Sequence, residues 1–154
     1  MTEQNPKVYT IEQASWRDLL ALSQLEKVCF EKDAWPLLDV MGVLTFPGVV
    51  RLRAMGDGKM VGFIAGDAKK EKRTGWILTL GVAPEWRRMG IAERLLGMCE
   101  EAMRVPLVKL TVRRSNIAAL RLYGKLGYTQ VDIWSKYYQG GEDGLVLAKE
   151  MTWV

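Results

Sequence analysis

Two arginines and a glycine at the mouth of a helix mark the part of this chain best equipped for chemistry. The run Val82-Ala83-Pro84-Glu85-Trp86-Arg87-Arg88-Met89-Gly90-Ile91-Ala92 leaves an apolar strand, Trp76 to Val82, and opens into an amphipathic helix, Ile91 to Met103. A strand, turn and helix in that order aim several backbone N–H groups and a helix N-terminus at one point, which suits a phosphate or pyrophosphate. The remaining chemistry is bounded by an absence, because the 154 residues include no histidine. A His-ligated metal, a Ser–His triad and a histidine base are thereby excluded. Acid–base work falls to Tyr, Asp, Glu, Lys, Cys, the backbone or water. Cys29 and Cys99 stand at no metal-binding or redox spacing, so two reduced, mostly buried thiols and no metal are expected.

The bulk composition narrows the class of protein. At 49% hydrophobic and 26% charged residues the chain has the make-up of a soluble globular domain. No apolar run approaches the ~18 residues of a membrane span. The stretch Met1 to Lys7 lacks the basic-then-apolar order of a signal peptide, so a cytoplasmic location is expected. A net charge of +4 raises the question of a nucleic-acid partner. The basic residues are dispersed, however, apart from Lys69-Lys70-Glu71-Lys72-Arg73 and Arg113-Arg114. The first group reads as a solvated hairpin tip, and no basic stripe interleaved with aromatics exists to bind nucleic acid. A modest positive excess also suits a polyanionic cofactor.

These residues must be positioned by the elements around them. Val8 to Ile11 is a short strand, and Ser15 with Asp18 forms a capping-box-like start to a helix carrying Leu19, Leu20, Leu22, Leu25 and Val28 to about Cys29. Phe30 to Pro36 is a loop in which Asp33 offers a cap for a second helix, Leu37 to Leu44, stopped by Phe46-Pro47-Gly48. Val49 to Met55 and Met60 to Ala65 form a hairpin about Gly56-Asp57-Gly58-Lys59. The helix from Ile91 places Ile91, Leu95, Met98 and Ala102 on one face, with Glu93, Arg94, Glu100 and Glu101 mostly on the other. After a strand at Leu107 to Val112, Ser115 caps a helix with Ile117, Leu120 and Tyr123 on one stripe, ended by Gly127. Strands at Tyr128 to Trp134 and Leu145 to Met151 close the chain. With no repeat or linker, one mixed α/β domain over residues 1–154 is expected.

Two motifs then resemble one family. Arg87-x-x-Gly90-x-Ala92 is similar to the diphosphate-binding signature of the GNAT acyltransferase superfamily. Asn116-x-x-Ala119-x-x-Leu122-Tyr123, followed by Gly127-Tyr128, matches the superfamily's other hallmark, with the right helix and strand between them. The resemblance covers roughly residues 8 to 151. The closing Tyr137-Tyr138-Gln139-Gly140-Gly141-Glu142-Asp143-Gly144 and the loop from Phe30 to Trp35-Pro36 look like those of the bacterial ribosomal-protein-alanine N-terminal acetyltransferases. The fold implied is α/β (α+β), a central mixed, mostly antiparallel twisted sheet of about six to seven strands flanked by about four helices.

The resemblance implies an acetyl-CoA-dependent N-acetyltransferase in which an amine attacks the thioester directly. The backbone N–H groups of Arg87, Arg88, Met89, Gly90, Ile91 and Ala92 would hold the pyrophosphate; the two arginine side chains either add charge or are solvated turn residues. Leu80 and Val82 would pair with the pantetheine arm, the Val82 N–H polarising the thioester carbonyl. Gly81 marks either the family's bulge or tight packing. Asn116 and Ala119 would contact CoA, and Tyr123 stands at the general-acid position, its phenol of pKa ~10 being protonated at neutral pH. Trp35, Tyr137, Tyr138 and Glu142 would line the acceptor pocket. The departure is Thr111, which occupies the strand position where the ribosomal-protein enzymes carry a glutamate base. Glu142, Glu31, Asp33 or a water chain would have to replace it. The missing base favours an amine of low pKa, since a lysine amine costs about 3 kcal/mol more to deprotonate than an α-amine. A protein or peptide N-terminus is therefore the expected acceptor of a monomer or homodimer. The alternatives are a small-molecule amine, or a non-catalytic acyl-CoA-binding module.

Overall fold

The computed structural model describes residues 7–153; the stretch read for a signal peptide lies, but for Lys7, outside them. Seven strands alternate with four helices: β1 (Tyr9–Gln13), α1 (Leu19–Phe30), α2 (Leu37–Thr45), β2 (Val49–Gly56), β3 (Lys59–Lys69), β4 (Thr74–Val82), α3 (Ile91–Met103), β5 (Leu107–Arg113), α4 (Ile117–Lys125), β6 (Thr129–Trp134) and β7 (Gly144–Glu150). They form one mixed sheet of order β1-β2-β3-β4-β5-β7-β6, antiparallel except between β4 and β5. That is the sheet and helix count the resemblance implied. Among the described residues no helix is long and apolar enough to cross a membrane.

Alternation along β3 shows how the helices divide. Phe63 and Ala65 pack with Leu22, Leu25, Val40, Val43 and Leu44 of α1 and α2, whereas Ile64 packs with Ile91, Leu95 and Cys99 of α3. Side chains two apart share a face and neighbours do not, so α1–α2 cover one face and α3 the other. Tyr123 and Leu120 of α4 join the α3 side. The sheet lets α3 in closely: a Cβ on Gly66 would stand 2.7 Å from the sulfurs of Cys99 and Met103.

The central feature is a split. β4 and β5 pair only at Thr74–Leu107, Gly75–Val108 and Trp76–Lys109. Beyond Trp76, β4 runs on to Val82 and β5 to Arg113 without further pairing, and the sheet opens into a cleft. β5 keeps its full ladder with β7, so the opening belongs to one seam.

Several local expectations are revised. Ser15 and Asp18 form a full capping box, but it starts a short 3-10 turn, Trp16–Asp18, that leads into α1. Leu20 and Val28 are exposed, and α1 buries Leu22, Leu25 and Glu26 instead. Pro36, not Asp33, precedes α2, and no side chain caps that helix. In α3 the buried set is Ile91, Leu95, Leu96, Cys99, Glu100 and Met103, while Met98 and Ala102 face solvent. Glu100 turns inward because Tyr128 donates its hydroxyl at 2.8 Å and Lys149 stands 3.4 Å away. Asn116 rather than Ser115 caps α4, its Oδ1 accepting the Ala119 N–H at 3.2 Å, and Ile117 is exposed.

Candidate active site in the β4–β5 split

The cleft encloses about 480 Å³ and runs through the sheet from one helical face to the other. Glu26, Phe30, Asp33 and Trp35 line its α1–α2 side, and Asn116, Ala119 and Tyr123 its α4 side. Leu80 of β4 and Thr111 of β5 form facing walls, and Trp134, Tyr137 and Tyr138 close one flank. A group reaching down from the α3–α4 face can thus meet one entering from the α1–α2 face.

The backbone of β4 faces this gap at the expected places. The Ala83 N–H donates to the Val61 C=O at 2.8 Å, which makes Val82–Gly62 and Leu80–Ile64 the non-hydrogen-bonded pairs of the antiparallel ladder. The N–H and C=O of Leu80 and Val82 therefore point away from β3, towards the seam that β5 has left. The Val82 C=O is held by Arg87 Nε at 3.0 Å and lies 3.5 Å from Cys29 Sγ. Arg87 thus anchors its Nε on the end of β4 while the residue stays exposed with its charge intact. Gly81 makes no bulge: it pairs in register with Phe63. A Cβ there would stand 3.1 Å from Cys29 Sγ and 3.3 Å from the Phe30 ring. Tight packing explains this glycine.

The turn before α3 is built as an anion cradle. Arg88 (φ +64°) and Gly90 (φ +77°) both adopt the left-handed conformation, which costs a side-chain-bearing residue on the order of 1 kcal/mol. Gly90 is the N-cap, no side chain caps the helix, and its surroundings are open. The first-turn N–H groups of Ile91 and Ala92 have no partner within the helix and carry its dipole. Both backbone and charge fit a pyrophosphate.

Tyr123 is 8% exposed, with its ring edge-on to Tyr128 at 5.8 Å. Burial, and secondarily the Tyr138 phenol, push its pKa up to about 12, so the proton stays on oxygen throughout the physiological range. Tyr137 and Tyr138 stack edge-on at 4.9 Å and continue through Trp134 to Trp76, an aromatic wall along one flank of the cleft.

The base candidates named from sequence are otherwise engaged. Asp33 forms a two-pronged ion pair with Arg113, through Nη2 at 2.7 Å and through Nε. Glu142 accepts the Ser115 N–H at 2.7 Å and Arg113 Nη1 at 3.2 Å. Those bonds, with Ser115 first, hold its carboxyl below the usual range. Glu142 is thus a strut behind Arg113 and does not line the cleft. Glu31 is solvent-exposed at the end of α1. Arg113 also lies over the Tyr138 ring at 4.6 Å and donates to the Gln139 C=O. One guanidinium thus ties the loop after α1 to the loop before β7 across the mouth of the cleft.

The residue missed by sequence reasoning is Glu26. It is 3% exposed yet lines the cleft. Thr79 donates its hydroxyl to Glu26 Oε1 at 2.7 Å, while Oε2 is buried with no hydrogen-bond partner. Burial pushes the carboxyl up; the Thr79 hydroxyl and then the Trp35 N–H pull it the other way. A buried carboxylate with a free oxygen and a raised pKa is equipped to take a proton at neutral pH. Its signal was present: Glu26 lies four residues after Leu22 and three before Cys29, on the buried stripe.

Comparison with known proteins agrees with this geometry. The model of the acetyltransferase (GNAT) family matches residues 7–128. The N-terminal acetyltransferase A complex catalytic subunit NAA10 of Arabidopsis thaliana is 30% identical over 148 residues, 92% of this chain and 77% of that protein. The crystal structure of the ribosomal-protein-S18-alanine N-acetyltransferase of Escherichia coli superposes with a TM-score of 0.85 at 24% identity, covering 96% of both chains. Arabidopsis thaliana NAA60, solved in complex with acetyl-CoA, superposes with a TM-score of 0.80 at 20% identity over 94% of this chain and 99% of that one. A strand-to-helix anion cradle, a sheet split beside it and the match over most of the chain lead to one conclusion: this N-acetyltransferase belongs to the acetyltransferase (GNAT) family.

Proposed function

We propose that the protein, acting as one domain over residues 1–154, acetylates the N-terminal α-amine of a protein or peptide with acetyl-CoA as donor. The donor lies on the α3–α4 side, its pyrophosphate on the backbone N–H groups of Arg87 to Ala92 and its pantetheine arm along Leu80 and Val82. Asn116 and Ala119 flank it. Acetyl-CoA supplies the activated acyl group, and the Val82 N–H polarises its carbonyl. The acceptor enters from the α1–α2 side, between Trp35 and the Tyr137–Tyr138 wall.

The amine reacts in its neutral form, its nitrogen pair forming the bond to the carbonyl carbon. Glu26, directly or through one water, takes the proton that the attacking nitrogen sheds. The carbon–sulfur bond breaks, Tyr123 donates its phenolic hydrogen to the departing sulfur, and solvent carries the proton from Glu26 back to the tyrosinate. A phenol at about 12 holds that hydrogen firmly, so its transfer is easiest where the thiolate is equally desolvated. The sequence departure at Thr111 finds its counterpart here, since a carboxylate from α1 supplies the base that β5 lacks.

The carrying observation is Glu26, half-satisfied and buried in the cleft beside the backbone of β4. Glu26 and Tyr123 together also disfavour a pure acyl-CoA binder, which needs neither base nor acid. The names of the relatives support an α-amine acceptor, and so does the chemistry: an α-amine of pKa ~7.7–8.0 is already partly neutral at pH 7. A turnover screen over lysine-free peptides, N-blocked lysine peptides, polyamines and aminoglycosides tests this. Turnover should concentrate on free α-amines; turnover confined to the other classes would refute the acceptor reading.

A further inference from the structure

A second cavity, of about 550 Å³, lies beside the cleft and shares Trp35, Asp67 and Leu78 with it. Its walls are largely apolar: Leu38, Val43 and Phe46 from α2 and its end, and Val49 from β2. The Phe46 ring packs over Gly42, where a Cβ would stand 3.0 Å from it, yet Phe46 and Leu38 are 64% and 85% exposed. The pairing of β3 with β4 skips Leu78, stepping from Thr79–Ala65 to Ile77–Gly66. Such a bulge re-aims a side chain, and Leu78 is the one that borders both cavities from β4. The polar residues at the edge are Asp39, Asp67 and Lys69, the last two paired at 2.8 Å.

We propose that this cavity is a distal acceptor subsite that takes a large apolar side chain from the third or fourth residue of the polypeptide being acetylated. The inference rests on the N-terminal acceptor reading above. Its distance follows from β4. Leu78 precedes Val82 by four residues, about 13 Å of extended strand at roughly 3.3 Å per residue. An extended acceptor with its amine opposite Val82 covers that distance with its third to fourth residue, while a dipeptide falls short. The apolar walls favour Leu, Phe or Met there, and Asp39 and Asp67 at the rim disfavour Glu and Asp. The sharing of Trp35, Asp67 and Leu78 sets the cavity directly against the side of the cleft through which the acceptor is proposed to enter, which is why an acceptor is its occupant.

The test measures steady-state acetylation of peptides that share their first two residues and carry Leu, Ala or Glu at positions three and four, using the whole protein. Leu peptides should exceed Ala peptides by about ten-fold or more in kcat/KM, largely through KM, as expected for one buried aliphatic side chain; Glu peptides should be poorest. Phe46→Glu and, independently, Leu38→Glu should collapse the Leu-to-Ala ratio towards one. Equal kcat/KM across the series in the wild type overturns the subsite alone, as does a ratio that survives both substitutions. A change from dimer to monomer on Phe46→Glu with the peptide ratio intact also overturns it, by making the face an interface between copies. Turnover of small amines but of no peptide overturns the acceptor reading and the subsite with it.

Discussion

Replacing Glu26 by glutamine should separate the base from every other part of the site. The amide keeps the size of the side chain and one oxygen for the Thr79 hydroxyl, which donates at 2.7 Å, but it cannot take a proton. A positioned general base is worth about 10²–10⁴ in rate, or about 3–5 kcal/mol at 1.36 kcal/mol per decade, so kcat should fall by that factor with little change in KM for acetyl-CoA. The pH dependence is sharper. In the wild type, log(kcat/KM) should fall with a slope of 1 below the acceptor amine's pKa. It should steepen to 2 below that of Glu26, which burial holds above the ordinary carboxylate value. Glu26→Gln should keep a slope of 1 throughout. Stability should move the opposite way. A carboxyl whose folded pKa is raised contributes stability that is complete below its unfolded pKa and lost as pH rises through its folded pKa. Above its folded pKa the ionised Glu26 is therefore a burden, and there the variant should melt higher, each 1 kcal/mol being worth about 3 °C for a chain of this length. A slope of 1 in the wild type down to the ordinary glutamate pKa of ~4.3, with less than a three-fold loss in the variant, would refute the base assignment.

Three further outcomes follow from the cleft. Tyr123→Phe should lower kcat by about 10²-fold or more, while the wild type shows no basic limb up to about pH 10, because Tyr123 titrates at about 12; a limb near pH 9 that the variant abolishes would instead mean a much more acidic phenol. Asp33→Asn breaks a pair whose partners are 27% and 20% exposed, so its loss should be worth only about 0.5–1 kcal/mol, seen as a two- to five-fold rise in acceptor KM with the acetyl-CoA KM unchanged. Gly90→Val forces a β-branched residue to φ +77° at a cost of at least about 1–2 kcal/mol; calorimetry should show weaker CoA binding, whereas an unchanged Kd would remove the turn from the donor site.

Legibility from sequence tracked the range of the interactions. The strand, turn and helix from Trp76 to Met103 depend on local chemistry and are readable to within a residue or two; that Gly90 is the helix cap is visible only in the structure. Asn116 and Tyr123 were readable as a motif, though the cap was placed one residue early, at Ser115, because both residue types cap well. Glu26 and Glu100 are hidden by the habit of placing charged residues on the solvent face: both sit on buried stripes. Each is turned inward by a partner no local pattern shows, Thr79 for Glu26 and Tyr128 with Lys149 for Glu100. Asp33 resembled a helix cap for the same reason. Its real partner, Arg113, is eighty residues away, brought close only because β4 and β5 separate after Trp76.

A structure of the protein with a CoA–peptide bisubstrate conjugate tests the central claim most directly. The account predicts the pyrophosphate on the N–H groups between Arg87 and Ala92, the linking carbonyl on the Val82 N–H, and the peptide's first nitrogen within direct or one-water reach of Glu26 Oε2. A conjugate whose peptide leaves by another route, with Glu26 still sealed behind Thr79, would contradict it.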